Sequence, residues 1–428
     1  MEKHKESIGE NRQNAIPNAK TSGSRTPNVP ALRFPGFTEE WEEHYLAEYL
    51  DFKNGLNPNA NKFGSGIKFI SVMDILNNDF ITYDCIRTSV KITPEEQVAF
   101  AVEKGDMLFQ RSSETLEDVG RANVYMDDQP AVFGGFVIRG KKKTEYNPMF
   151  FRYLLASPYA RKKIIPMGAG AQHFNIGQDG LSKVRLHFPV LQEQHKIATL
   201  LRLIDDRIST QNKIIEKYES LIQALCDTLI EQETQQVTLS FSDFGQSYSG
   251  LSGKSAEDFG DGYPFITYMN VYQNQIIDLT DVGLVKINET EQQSVVRHGD
   301  ILLTLSSETP EEVGMGAVYL GETYPLYLNS FCFGIHIIDE AKIYPPFLAY
   351  YVSSQSFRKA VYPLAQGSTR FNLQKSDFMK KKFSFPVIEK QQKIYSILNS
   401  YSDKLIVERQ IMKSLCYQKC YLLRQLFI

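Results

Sequence analysis

The chain carries most of its recognisable pattern twice. Gly105-Asp106, Ser112-Ser113-Glu114-Thr115, Val119-Gly120 and Val124-Tyr125 return 194 residues later as Gly299-Asp300, Ser306-Ser307-Glu308-Thr309, Val313-Gly314 and Val318-Tyr319. A second set, Phe174-Asn175, Phe188-Pro189-Val190, Gln194 and Lys196-Ile197, returns 197 residues later as Phe371-Asn372, Phe385-Pro386-Val387, Gln391 and Lys393-Ile394. Order and spacing agree over nearly half the chain, so coincidence is a poor explanation. Solenoid repeats have much shorter periods, which leaves two domains of one design. Two similar halves related by approximate two-fold symmetry suit a partner that is itself two-fold, and duplex DNA is the commonest such partner.

Composition narrows the class. No run approaches the roughly twenty apolar residues of a membrane span. The polar N-terminus lacks a secretory pattern, so a cytoplasmic protein without a membrane partner is expected. Cys85, Cys226, Cys332, Cys416 and Cys420 are odd in number and lack CxxC spacing, which predicts reduced thiols and neither disulfides nor zinc. The seven histidines, His4, His44, His173, His187, His195, His298 and His336, show no HxxxH or HExxH spacing, so no metal site is expected. His187 and His336 lie among apolar residues and read as core histidines. A net charge of −3 sits awkwardly with phosphate binding. The basic clusters Arg139-Gly140-Lys141-Lys142-Lys143, Arg161-Lys162-Lys163 and Lys380-Lys381-Lys382 are either phosphate contacts or solvated faces.

Along the chain, residues 1–31 are polar and predict a flexible tail. A first α+β module spans 32–190, beginning at Leu32-Arg33-Phe34-Pro35-Gly36-Phe37 with Trp41 as a packing anchor. Strands are expected at Lys68–Val72, Met107–Gln110, Ala131–Phe133 and Phe136–Ile138, and helices opening at Asn147-Pro148 and Ser157-Pro158. Apolar residues then recur at three- and four-residue steps, with no Gly or Pro, through a long helix over 191–233. A second module covers 234–387, and a second long helix 388–428. The most economical burial for both apolar stripes is an antiparallel, coiled-coil-like pair; the alternative is that each helix packs only on its own module.

Catalytic equipment is sparse. There is no GxxxxGK[ST] loop. Gly168-Ala169-Gly170-Ala171-Gln172-His173 lacks the third glycine of a dinucleotide loop. Asn147-Pro148-Met149-Phe150 lacks the second proline of the amino-methyltransferase motif, and Tyr344-Pro345-Pro346-Phe347 lacks its asparagine; a helix start explains both. Glu340-Ala341-Lys342 fits the end of a nuclease motif but has no companion aspartate, so it reads as a solvated turn. The duplicated polar loops are better candidates for reading DNA. They supply Asn57, Asn59 and Lys62 in one half and Ser252 and Lys254 in the other. Next come Arg111, Ser112 and Ser113 against Ser306 and Ser307, whose hydroxyls could meet phosphates. Gln172, His173 and Asn175 in the Gly168 loop, and Ser368, Thr369, Arg370 and Asn372 in the Gln366 loop, could reach base edges. For each, the structural alternative is a turn bonding its own backbone. The shared frame is apolar or turn-forming while the loop contents differ, as two readers of two different short sequences would require.

In Phe188-Pro189-Val190-Leu191-Gln192-Glu193-Gln194 with Ile197 and Leu203-Ile204-Asp205, in the copy Phe385-Pro386-Val387-Ile388-Glu389-Lys390-Gln391-Gln392 with Ile394, and in the opening Pro30-Ala31-Leu32-Arg33-Phe34-Pro35, the chain resembles the specificity subunit of type I restriction-modification systems. The likeness covers about residue 32 to the end. It implies an α+β fold of two tandem, similar target recognition domains separated by two long antiparallel helices, with pseudo-two-fold symmetry. Each domain would read half of a split DNA site, the helices acting as a ruler. It also implies a non-catalytic chain that docks two methylation subunits using S-adenosylmethionine, joined by restriction subunits using ATP and Mg2+. Adenine methylation and ATP-dependent cleavage would belong to those partners, in defence against foreign DNA. One departure is Lys390, where the first copy has Glu193. Two rival readings are an enzyme with its site inside the modules, and an adaptor that binds proteins through its helices and never touches DNA.

Overall fold

The computed structural model describes residues 28–428. Most of the expected tail over 1–31 lies outside the described residues. Its end at 28–31 is held in place: the Trp41 amide donates to the Asn28 carbonyl at 2.8 Å, and Pro30 is buried. The chain forms two compact units, one running up to Arg207 and including Leu415–Ile428, the other comprising Ile208–Ser414. Each unit therefore contains one module and a stretch of both long helices.

In the first unit, Glu42–Tyr45 pairs antiparallel with Arg185–Phe188. A four-stranded sheet follows in the order Leu50–Asn54, Val137–Lys142, Met107–Gln110, Ala122–Val124, and a second in the order Ser89–Val90, Phe63–Ile70, Ala131–Phe133, Ala101–Val102. Met107–Gln110 is buried at every position, as a continuous apolar run in a central strand should be. The strand expected to reach Val72 stops at Ile70, and a helix, Val72–Asn77, begins instead. The reason is local: the Ser71 amide and hydroxyl both donate to Asp74 at 2.7 Å, a capping box that outweighs the β-branched run. Asn147 accepts from the Phe150 amide at 2.9 Å to open Pro148–Ala156, so this Asn-Pro pair is a helix start. Trp41 is buried edge-on against Phe150 and Phe427.

The second unit repeats this topology. Gln236–Ser240 pairs with Lys382–Pro386, and a four-stranded sheet runs Gly245–Ser249, Cys332–Ile337, Ile301–Thr304, Gly316–Val318. A three-stranded sheet, Val282–Val285, Phe259–Ile266, Tyr327–Leu328, lacks a counterpart of Ala101–Val102.

The long helices are Leu191–Glu231, of 41 residues, and Ile388–Gln425, of 38. They touch each other in both units. In the first, Asp205 accepts from the Tyr153 hydroxyl at 2.7 Å and pairs with Lys419 at 2.6 Å. In the second, Gln211 donates to the Glu408 carbonyl at 3.1 Å, and Arg409 pairs with Glu219 at 2.7 Å. Residues early in one helix thus meet residues late in the other, the antiparallel sense. Each helix also packs on a module: Cys226 is buried and its thiol donates to the Tyr350 carbonyl at 3.3 Å, so packing on a module accompanies the pairing and does not replace it.

The repeated glutamines have a shared mechanical role. Gln194 accepts from the Asn147 amide and donates to the Pro189 carbonyl, both at 3.0 Å; Gln391 accepts from Tyr344 and donates to Pro386, both at 2.8 Å. Each buried amide staples a long helix to the start of a module helix. The departure at Lys390 also has a structural account. Arg33 grips Glu193 through two bonds of 2.8 Å, whereas Lys390 pairs with Glu233 at 3.2 Å, so the repeated helix position carries opposite charge in the two units and each finds a partner of the opposite sign.

Candidate nucleic-acid interface

In the first unit the chain leaves the central strand at Arg111, and Ser112–Ser113 pairs antiparallel with Phe174–Asn175. Ala169 and Asn175 exchange backbone bonds of 2.9 and 2.8 Å, closing a hairpin whose tip, Gly170 to His173, is exposed. Gly170 has φ +143°, and a Cβ there would lie 2.0 Å from the His173 carbonyl oxygen, so the tight tip requires glycine. The Ser112 hydroxyl donates to Asn175 Oδ1, and Asn175 Nδ2 donates to the His173 carbonyl at 3.2 Å. Asn175 therefore shapes the hairpin, and Gln172 and His173 project from it. The Arg111 guanidinium donates to the Gly135 carbonyl at 3.3 Å, and Asn57 lies against Gly135, where an added Cβ would be 1.9 Å from Asn57 Oδ1. The fold thus gathers Asn57, Arg111, Ser112 and the hairpin at one place. Asn59 and Lys62 bound the adjoining turn Ala60–Lys62, where Lys62 comes within 4.0 Å of Glu96.

The second unit builds the same hairpin with other contents. Ser306 opposes Asn372, Ser307 opposes Phe371, and Gln366 opposes Asn372 across the hairpin. Gly367 has φ +141°, and a Cβ there would meet the Arg370 carbonyl oxygen at 2.1 Å. Ser368, Thr369 and Arg370 form the exposed tip, and the Arg370 guanidinium lies over the Phe331 ring at 5.3 Å. Asn372 Nδ2 donates to the Arg370 carbonyl at 3.5 Å.

Ser306 and Ser307 are buried, at 5% and 7% exposure. The Ser307 hydroxyl donates to Glu312 at 2.8 Å, and bonds from Tyr272 and then Ser307 hold the Glu312 carboxyl below its usual range. These hydroxyls face inward, in contrast to the phosphate-facing role expected of them. Lys254 is also internal, bonded to the Lys286 carbonyl and to Glu291 at 2.5 Å, and Gln293 clips the Ser252 backbone through bonds of 3.1 and 2.9 Å.

The basic clusters separate in the same way. Arg139 is buried against the Ala101 carbonyl, Lys141 pairs with Glu103, Lys142 with Glu145, and Lys143 donates to the Ala47 carbonyl. Arg161 donates to the carbonyls of Glu117 and Val119 at 2.8 and 2.6 Å, and burial lowers its pKa to about 10. Arg358 does the same for Glu311, Val313 and Gly314, with its pKa likewise lowered by burial. Both arginines brace the loop after Ser-Ser-Glu-Thr and are unavailable to phosphate. Lys163 pairs with Glu43 and Lys382 with Asp243.

Two exposed aromatics adjoin these loops without any signal in the repeat pattern. Phe136 and Phe331, 68% and 52% exposed, occupy matching turns, their carbonyls accepting from Arg111 and Leu305. Phe136 reads as part of a strand in the sequence, but the strand starts at Val137; the preceding Gly134-Gly135 was the available signal. The Glu340-Ala341-Lys342 segment is a turn in which Lys342 pairs with Asp339 at 2.8 Å. His187 bonds Tyr159 at 2.7 Å and His336 bonds Asp300 at 2.9 Å, both satisfied partners of the core. Among the described residues, no group of three or more His, Cys, Asp or Glu could hold a metal ion, and no helix is long and apolar enough to cross a membrane.

Comparison with known proteins agrees with this architecture. The type I restriction modification DNA specificity domain matches residues 38–220 and again 240–416. A putative type I restriction enzyme MjaX specificity subunit of Methanocaldococcus jannaschii is 23% identical over 401 residues, covering 87% of this chain and 89% of its own. The HindI specificity subunit of Haemophilus influenzae is 29% identical over 194 residues, 44% of this chain and 40% of its own. The fold resembles a crystal structure of the S subunit from M. genitalium, with a TM-score of 0.52 at 16% identity over 94% of this chain and 99% of that one. It also resembles a chain of a type I R-M system solved for complex assembly and conformational transition, with a TM-score of 0.57 at 15% identity over 92% and 98%. With two matched domains that together span most of its length, the chain belongs to the family of type I restriction-modification DNA specificity subunits, and its two modules are target recognition domains.

Proposed function

We propose that each recognition domain reads one half of a bipartite DNA site through its hairpin, while the paired long helices set the spacer and dock two methylation subunits. The observation that carries this reading is the common frame with unlike tips: Gln172 and His173 in the first unit face the solvent where Ser368, Thr369 and Arg370 do in the second. Arginine pairs well with guanine, and amide side chains with adenine, so the two tips suit different base edges. The chain itself is non-catalytic in this reading. Methyl transfer from S-adenosylmethionine, and cleavage driven by ATP with Mg2+, belong to methylation and restriction subunits in the cytoplasm. Those partners also supply phosphate contacts that a chain of net charge −3 provides sparingly.

The test is base-modification sequencing of DNA from cells that express this chain with its methylation subunits, and from cells lacking only this chain. A split methylated motif that depends on the chain is expected. Replacing Ser368, Thr369 and Arg370 together by alanine should change or abolish recognition of one half-site while co-purification with the methylation subunits persists. Absence of any chain-dependent motif would overturn the proposal, and loss of assembly would make the tip a structural element.

A further inference from the structure

Each unit extrudes a second, smaller feature that the hairpins do not explain. In the first unit, Phe63 and Ile67 both oppose Val90, so Gly64-Ser65-Gly66 is looped out between them. In the second, Phe259 and Tyr263 both oppose Val285, and Gly260-Asp261-Gly262 is looped out in the same way. The four glycines have φ between +101° and +103°. At Gly66 and Gly262 an added Cβ would lie 2.3 and 2.5 Å from the facing valine carbonyl oxygen, whereas Gly64 and Gly260 have nothing within 4 Å. The backbone is thus held in one shape by residues that can adopt it, with the middle residue at an open apex.

The surroundings are also duplicated. Phe63 and Phe259 remain 39% and 40% exposed at the foot of the bulge, their rings 5.2 and 5.3 Å from Phe69 and Phe265. Beside it stand the exposed Lys91 and Lys286, whose amides donate to the Lys62 and Asp258 carbonyls, both at 2.8 Å. Aromatic foot, lysine and glycine frame are kept in both units, while the apex changes from Ser65 to Asp261 and the flanking residues from Lys62 and Ile67 to Asp258 and Tyr263. Packing does not account for the apex difference, because both apex residues are exposed; one oxygen of the Asp261 carboxylate accepts from the Gly262 amide at 2.9 Å, which fixes its direction within the bulge. Phosphate contacts position a protein on DNA without carrying sequence information, while base contacts specify. A retained lysine beside a variable apex has that division of labour.

We infer that Ser65 and Asp261 are specificity-determining residues of the first and second half-sites, each reading one base while Lys91 and Lys286 anchor the adjacent phosphate. This rests on the DNA-reading function proposed above and adds a contact separate from the hairpin tips. A carboxylate accepts from the exocyclic amine of cytosine, whereas serine is permissive. Asp261 therefore favours cytosine at its position, and Ser65 tolerates several bases.

The experiment uses the chain co-expressed with its methylation subunits and a pool of duplexes randomised across the bipartite site, with methylated products sequenced. Ser65→Asp should move one position of the first half-site towards cytosine by about tenfold, with the second half-site unchanged. Asp261→Ser should relax one position of the second half-site. Lys91→Ala should weaken DNA binding by a similar factor for all sequences and reduce the salt slope by about one. An unchanged sequence preference in both apex variants, or methylation of no member of the pool by variants that still co-purify with the methylation subunits, overturns the inference. If the unaltered complex selects no bipartite site, the failure lies with the proposed function instead.

Discussion

Arg33 and Glu193 show how much one residue pair can weigh in such a chain. The Glu193 side chain has no exposure and Arg33 only 13%, so the two bonds join charges that water hardly reaches; the bond to Glu193 raises the arginine pKa. Removing one partner of a buried pair leaves the other uncompensated, at a cost of about 3–5 kcal/mol. Lys390 and Glu233 keep 38% and 14% exposure, and such pairs contribute roughly 0–1 kcal/mol. Arg33→Ala is therefore expected to lower the urea midpoint strongly and Lys390→Ala hardly at all; equal effects would refute the distinction. Several residues of the candidate site stand out in the sequence because they repeat: Gly170 with Gly367, Ser112 with Ser306, Asn175 with Asn372. Their partnership could not. Ser112 and Asn175 lie 63 positions apart, and only the folded hairpin brings them together. Burial was equally hidden, since Ser306 and Ser307 match Ser112 and Ser113 in type but sit inside.

At the level of elements, the long helices were legible almost to their ends, because an apolar stripe without glycine or proline is a strong signal. The first stops at Glu231, two positions before the expected 233. The module strands were less legible where capping competes, as at Ser71, or where a glycine bulge interrupts pairing, as at Gly64 and Gly66. The helix pair yields a prediction of its own. Each added residue lengthens a helix by about 1.5 Å, so matched seven-residue insertions in both helices preserve the facing stripes and add about 10 Å, close to three base pairs at about 3.4 Å each. The spacer tolerated by the methylating complex should lengthen accordingly; an unchanged spacer would refute the ruler.

For the whole molecule, charge sets the expected behaviour on DNA. A net charge of −3, with Arg139, Arg161 and Arg358 held internally, predicts that the isolated chain binds its site no better than about micromolar at physiological salt. Adding the methylation subunits should tighten binding by at least an order of magnitude in fluorescence anisotropy; nanomolar binding by the chain alone would contradict this. The opposite charges at Glu193 and Lys390 bear on how such chains can be rearranged. A graft that joins the segment carrying Arg33 to the helix carrying Lys390 would lose the carboxylate that Arg33 grips, and one that joins the segment carrying Glu233 to the helix carrying Glu193 would leave that sealed carboxylate without its cation. Exchange of halves is therefore expected to succeed best where the lead-in segment travels together with the first turn of the helix it clasps, which marks a seam along which new specificities can be inherited.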